Sequence, residues 1–222
     1  MRVWNLLAVL LAATAGLSAC GGEDTDTLSE DLTTRPADRP RLALENVRKA
    51  LLAGDRETFL DSFHTTADLQ GAALQAVWTV LRNNRVYRER MRQTYGQNAL
   101  DERGRAGVLE NFIARKKLSN ARLPKDSEIT GDRVEARVRG HEHPVVLVRV
   151  EGQWKLAAES LAPAAQPEEL KRYIAYLQTA GEVLAEAAEE VGQEGLTAAD
   201  IRRQMHQNLA RAMAGIARPE DS

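Results

Sequence analysis

Cys20 carries the most distinctive chemistry in this chain, because it is the single cysteine among 222 residues. A lone cysteine cannot close an internal disulfide, so its thiol serves some other purpose. It follows Leu17-Ser18-Ala19 at the end of an apolar run. A second candidate is His141-Glu142-His143, which places two imidazoles on one face of an extended segment. A metal would need at least a third ligand, such as Glu159 or His64. The pair lies between Gly140 and Pro144, and the simpler reading is a polar hairpin tip. Third, Phe59, Phe63, Trp78, Tyr87 and Trp154 could line a ligand pocket. Each also falls on the core side of its own periodic pattern, and a core needs large side chains.

At the start of the chain, Arg2 is the only charged residue before Cys20 and is followed by an apolar run to Leu17. A positive start, a short apolar stretch and a small-residue cleavage zone make a signal peptide over 1–19. The run is too short to span a bilayer, which takes about 20 residues. Leu17-Ser18-Ala19-Cys20 resembles the lipobox of bacterial lipoproteins. The resemblance implies cleavage before Cys20, a covalent diacylglycerol on its thiol, and an N-acyl chain such as palmitate where that step is carried out. Two or more acyl chains anchor stably where one is marginal. By the same resemblance, Gly21 in place of Asp favours the outer over the inner membrane of a two-membrane cell.

Residues 21–40 hold six acids, two arginines, two prolines and only two leucines. Such a segment has no apolar face to bury and reads as a flexible acidic linker. As a coil its 20 residues reach roughly 25 Å, at about 5–6 Å × √n. Glu23, Asp24 and Asp26 lack the spacing of a calcium loop.

The folded part is expected over 41–219, beginning with Leu42, Leu44, Val47 and Leu51 at helical spacing. Gly54 ends that helix and Asp55 caps a short second one carrying Phe59, Leu60 and Phe63. A third starts at Thr65 or Thr66 with Asp68, carries a stripe through Leu69, Val77, Leu81, Tyr87 and Met91, and stops at Gly96. A fourth is expected over about 98–117. The period then changes to two. Segments at Ser127–Thr130, Val134–Val138, Val145–Val150 and Trp154–Ala157 predict a four-stranded antiparallel meander over about 127–158, with Gly131-Asp132 and Glu151-Gly152 as turns. Two helices come after it as a C-terminal extension over 167–216. The second is capped by Thr197 with Asp200, with Ile201, Met205, Leu209, Met213 and Ile216 inward. The fold class is therefore α+β, with helices packed on one face of a sheet.

Residues 50–63, Ala-Leu-Leu-Ala-Gly-Asp followed by Phe59-Leu60 and Phe63, and the later hairpin 145–156 with Gly152-x-Trp154-Lys155 resemble small exported NTF2-like proteins. The resemblance implies a helix broken at Gly-Asp, a late hairpin, and a cone that in some members holds a small apolar ligand or does isomerase or hydrolase chemistry. Three helices before any strand and two after the sheet depart from the plain cone.

The near-neutral charge of −2 argues against a nucleic-acid partner. Charge is nevertheless uneven. Residues 82–117 hold ten basic and four acidic residues, whereas 159–200 hold two basic and nine acidic. The basic stretch, with Arg85, Arg88 and Arg92 on one helical face, either meets a protein or envelope-polymer partner or pairs with the acidic helix around Glu182–Glu190. The C-terminal helices are the other candidate contact surface. No G-x-S-x-G, H-E-x-x-H, P-loop or C-x-x-C is present. The expectation is an exported, periplasmic or surface, membrane-anchored module of the cell envelope that binds or scaffolds. No catalytic residue, metal ligand or cofactor beyond the lipid on Cys20 is expected.

Overall fold

The computed structural model describes residues 32–100, 118–139, 144–161 and 166–217. They form an α+β fold in which three helices precede the main hairpin and two come after it. Cys20 and the signal segment lie outside the described residues, as do His141 and His143.

Helix α1, Pro40–Ala53, begins with a proline, whose missing N–H costs nothing in a first turn. Gly54 ends it at φ 74°, a left-handed conformation that glycine adopts without steric cost. Asp55 then caps α2, Arg56–Asp61, by accepting from the Thr58 amide at 3.0 Å. Helix α3 spans Asp68–Tyr95. Its entry differs from the expected Thr-x-Asp cap: Gln70 reaches back, and its Oε1 accepts from the Thr66 amide at 2.7 Å. Helices α4, Pro167–Glu190, and α5, Ala198–Ala217, complete the chain. At the start of α5, Thr197 and Asp200 cap each other reciprocally: the Thr197 amide donates to Asp200 Oδ2 and the Asp200 amide to Thr197 Oγ1, both at 3.2 Å.

The sheet has four strands, but they are not the four of a simple meander. Strands β2 (Arg133–Ala136), β3 (Val145–Val150) and β4 (Gln153–Ala157) pair antiparallel in sequence order. The fourth is β1, Phe63–His64, which runs parallel to β4, so the order is β1-β4-β3-β2. The stretch expected as an opening strand at 127–130 instead holds a 3-10 turn, Asp126–Glu128. Glu128 satisfies backbone locally there, accepting from the Lys125 amide on its side chain while its own amide donates to the Lys125 carbonyl. Of the helix expected over 98–117, the start lies in a 3-10 turn, Gln97–Ala99, and residues 101–117 fall outside the described part.

Register aligns Val134 with Leu147 and Leu147 with Leu156, which puts these three on one face of the sheet. All are buried, and they join a core built with α1, α2 and the N-terminal halves of α3 and α4. A second cluster contains Tyr87 and Met91 of α3, Val183, Leu184 and Ala187 of α4, and Ile201 and Met205 of α5. The two long helices thus run through both. They approach closely at Gly181, where a Cβ would stand 3.1 Å from Thr79 Cγ2, and Asn83 Nδ2 donates to the Gly181 carbonyl at 2.9 Å.

Candidate functional site

The expected linker over 20–40 reaches into the fold at its far end. Ala37 is buried, and its carbonyl accepts from the Trp154 amide at 2.8 Å. The outer edge of β4 is therefore covered twice: at Leu156 by the Ser62 carbonyl at 2.9 Å, and two residues earlier by Ala37. Residues Thr33–Ala37, which we term the strap, run over α1 as well. Asn46 Nδ2 donates to the Arg35 carbonyl at 2.6 Å while Asn46 Oδ1 accepts from the Arg35 amide at 3.4 Å. Lys49 Nζ donates to the Thr33 carbonyl at 3.1 Å.

Beside the strap lies an open groove of about 290 Å³. The strap forms one wall, with Ala43 and Asn46 of α1 beneath it, Thr58, Asp61 and Ser62 across from it, and Gln153, Trp154 and Lys155 along β4. The lining combines the largely buried Ala37, Ala43 and Trp154 with groups able to hydrogen-bond or carry either charge. Thr58 is already engaged: its hydroxyl donates to Asp55 Oδ2 at 2.6 Å, and that bond is the main reason the Asp55 carboxyl sits below its ordinary pKa. The side chains of the groove also include Asp61, Ser62 and Lys155, which can hydrogen-bond or carry charge. Sequence reading missed it because Pro, Asp and Arg between residues 35 and 40 look like linker. The one hint was Ala37, a small apolar residue flanked by proline and acid.

Among the described residues, those singled out by sequence do not converge on one site. Phe59 stacks against Phe63 at 5.2 Å between ring centroids and against Trp78 at 5.0 Å, so these three fill the core rather than line a cavity. Tyr87 sits in the other cluster, where its hydroxyl has no hydrogen-bond partner and burial pushes its pKa up, opposed by Arg202. Only Trp154, 5% exposed, borders the groove. Glu159 is ion-paired with Arg133 at 3.2 Å, and His64 lies in β1. Among the described residues no cluster of three or more metal-ligating side chains forms.

The basic stretch finds partners of a kind that sequence reading did not weigh. Arg85 Nη1 donates to the carbonyls of Leu51 and Leu52, at 3.3 and 2.6 Å, and so satisfies the C-terminal end of α1. Arg90 donates to the Ala188 carbonyl at 2.9 Å, and Tyr95 to that of Leu196 at 3.0 Å. On α4, Glu182, Glu186 and Glu189 are exposed, and Glu190 accepts from Gln204 at 2.8 Å. Arg85 and Arg90 of α3 thus donate to backbone carbonyls of other elements. No described helix is long and apolar enough to cross a membrane. No family model matches this sequence, and neither a curated protein nor a solved structure is significantly similar to it.

Proposed function

We propose that this chain is an exported lipoprotein of the cell envelope, anchored through acylated Cys20, whose domain acts as a non-catalytic binding module. The observation that carries this reading is the placement of the only cysteine directly after Leu17-Ser18-Ala19, behind a charged start and a short apolar run. Gly21 favours the outer membrane. The groove at the β4 edge is the place on the described surface where such binding would occur. The break at Gly54-Asp55 and the hairpin from Val145 to Ala157 are the features on which an NTF2-like affiliation rests.

The anchor is tested by Cys20→Ala expressed in a Gram-negative host. The variant is expected to lose palmitate labelling and to leave the membrane fraction. Full membrane partition with label retained by the variant overturns the reading.

A further inference from the structure

Most polar groups lining the groove are already engaged within the protein. Asn46 gives both ends of its amide to Arg35, and the Thr58 hydroxyl goes to Asp55. The Ser62 hydroxyl donates to the Thr58 carbonyl at 2.7 Å, the Trp154 amide is taken by Ala37, and Arg35 has a further interaction of its own. What remains is the Asp61 carboxylate, the Lys155 ammonium, the Gln153 amide and the Thr34 hydroxyl. Among the described residues, none of these four side chains has a hydrogen-bond or ion-pair partner.

The two charges are of opposite sign, line one groove and do not pair with each other. Asp61 is the last residue of α2, where the carbonyl ends disfavour a carboxylate, so the fold gains nothing from an acid there. Lys155 is half-buried on β4, so its stem packs while its ammonium is kept at the groove. The apolar lining, Ala37, Ala43 and Trp154, is at most 6% exposed, which leaves little surface for an apolar ligand. At about 290 Å³ the groove lies just under the ~300–1,000 Å³ of pockets that hold drug-sized molecules, so its occupant is smaller than those.

We propose that the groove binds a small zwitterion of dipeptide size, with its ammonium at Asp61, its carboxylate at Lys155 and its amide against Gln153. The assignment rests on the reading of this domain as a binding module and supplies the chemistry of its ligand. A carboxylate only accepts and an ammonium only donates, so each end of a dipeptide meets the one free charge able to receive it. The amide between them matches Gln153, which both donates and accepts. Two solvent-facing ion pairs contribute little each, so the affinity is expected at the mM level.

The experiment titrates the full mature chain carrying Cys20→Ser with alanyl-alanine, its N-acetyl derivative and its C-terminal amide at low salt. Binding is read from the backbone amides of Ser62 and residues 153–155 by NMR. Alanyl-alanine is expected to shift these amides at mM concentration, and capping either end should weaken binding about fivefold, the upper end for one exposed ion pair. Asp61→Asn should lose the preference for the free ammonium and keep that for the free carboxylate, and Lys155→Gln should do the reverse. This crossed pattern assigns each end of the ligand to its residue, which a merely structural effect of either variant would not produce. The capped compounds test the proposal on the unsubstituted residues, so it stays falsifiable should a variant fail to fold. Preferences left unchanged by both variants overturn it. Equal groove shifts with all three compounds keep the groove as a binding place but overturn its assignment to a zwitterion. No shift there with any of them also overturns the assignment, while the fractionation of Cys20→Ala judges the envelope reading separately.

Discussion

The two clusters of this fold are held by different means. Around the sheet, the core draws on eight elements, from α1 to α4, and its large side chains include Phe59, packed on Phe63 and Trp78, and Trp154 of β4. At the other end three helices meet over smaller apolar residues, and polar side chains fasten one helix to the backbone of the next. Arg90 reaches the Ala188 carbonyl, and the Tyr95 hydroxyl both donates to the Leu196 carbonyl and accepts from the Gly192 amide at 3.1 Å. The difference teaches where cooperativity should lie. A core closed by many distant segments is lost all at once, and α3 and α4, which run through both clusters, share in that loss; α5, at the end of the described chain, is the helix that can open locally.

The largest expected effect is at Phe59, fully buried between Phe63 and Trp78. Phe59→Ala should cost ~3–5 kcal/mol and lower the single melting transition by many degrees. A small shift would put the main core elsewhere. Tyr95→Phe should cost ~1–2 kcal/mol through its two lost bonds. Hydrogen exchange should then show faster amides in α5 with those of β3 and β4 unchanged. If the whole domain accelerates together, the two regions are one cooperative unit.

Smaller still is the charge effect. Arg85→Glu replaces a cap on the α1 carbonyls with a carboxylate at a helix C-terminus and should lower stability by ~1 kcal/mol. Arg82→Glu, at an exposed position in the middle of the same helix, should change it by less than ~0.5 kcal/mol. Similar losses for both would mean that α3 acts through its overall field rather than through the cap.

The smallest effect is on acid sensitivity. Hydrogen bonds from Thr58 hold the Asp55 carboxyl below its ordinary 3.8, and those from Thr197 do the same for Asp200. A lowered pKa in the fold contributes stability that is present above 3.8 and lost as pH falls below it. Exchange protection at the start of α5 should therefore fade on acidification before that of the sheet, and Asp200→Asn should flatten that dependence.

Helices were legible because their punctuation is chemical. Gly54, Asp55, Gly96 and the Thr197–Asp200 pair all mark ends or starts where expected, since each satisfies or relieves a backbone group at a terminus. The hairpin from Val145 to Ala157 was legible from its alternation, and its turn at Glu151-Gly152 takes positive φ at both residues, which matches strand twist. Pairing without pattern escaped. Two residues, Phe63 and His64, are too few to show a period, and they come directly after a helix whose stripe they continue. Ile129, after Asp126, Ser127 and Glu128, looks like a strand start until backbone bonds and the Glu128 side chain close a turn instead. The site was least legible of all. The bonds described to Thr33, Arg35 and Ala37 involve their main-chain atoms, and such bonds leave almost no trace in residue types.

The prolines that shape the strap have a further consequence. Between Cys20 and Arg41 the only basic residues are Arg35 and Arg39, and each is followed directly by proline. Trypsin-like proteases cleave after a basic residue and fail when the next is proline, whose ring and missing N–H do not suit their active sites. The first cleavable bond is Arg41–Leu42, in the opening turn of α1, where Arg41 Nη1 also donates to the Ser119 carbonyl at 2.5 Å. A helical bond must unwind before a protease can hold it extended. Such enzymes can therefore cut the domain from residue 20 only by unfolding its first helix, so the stability of α1 sets how long the two stay joined.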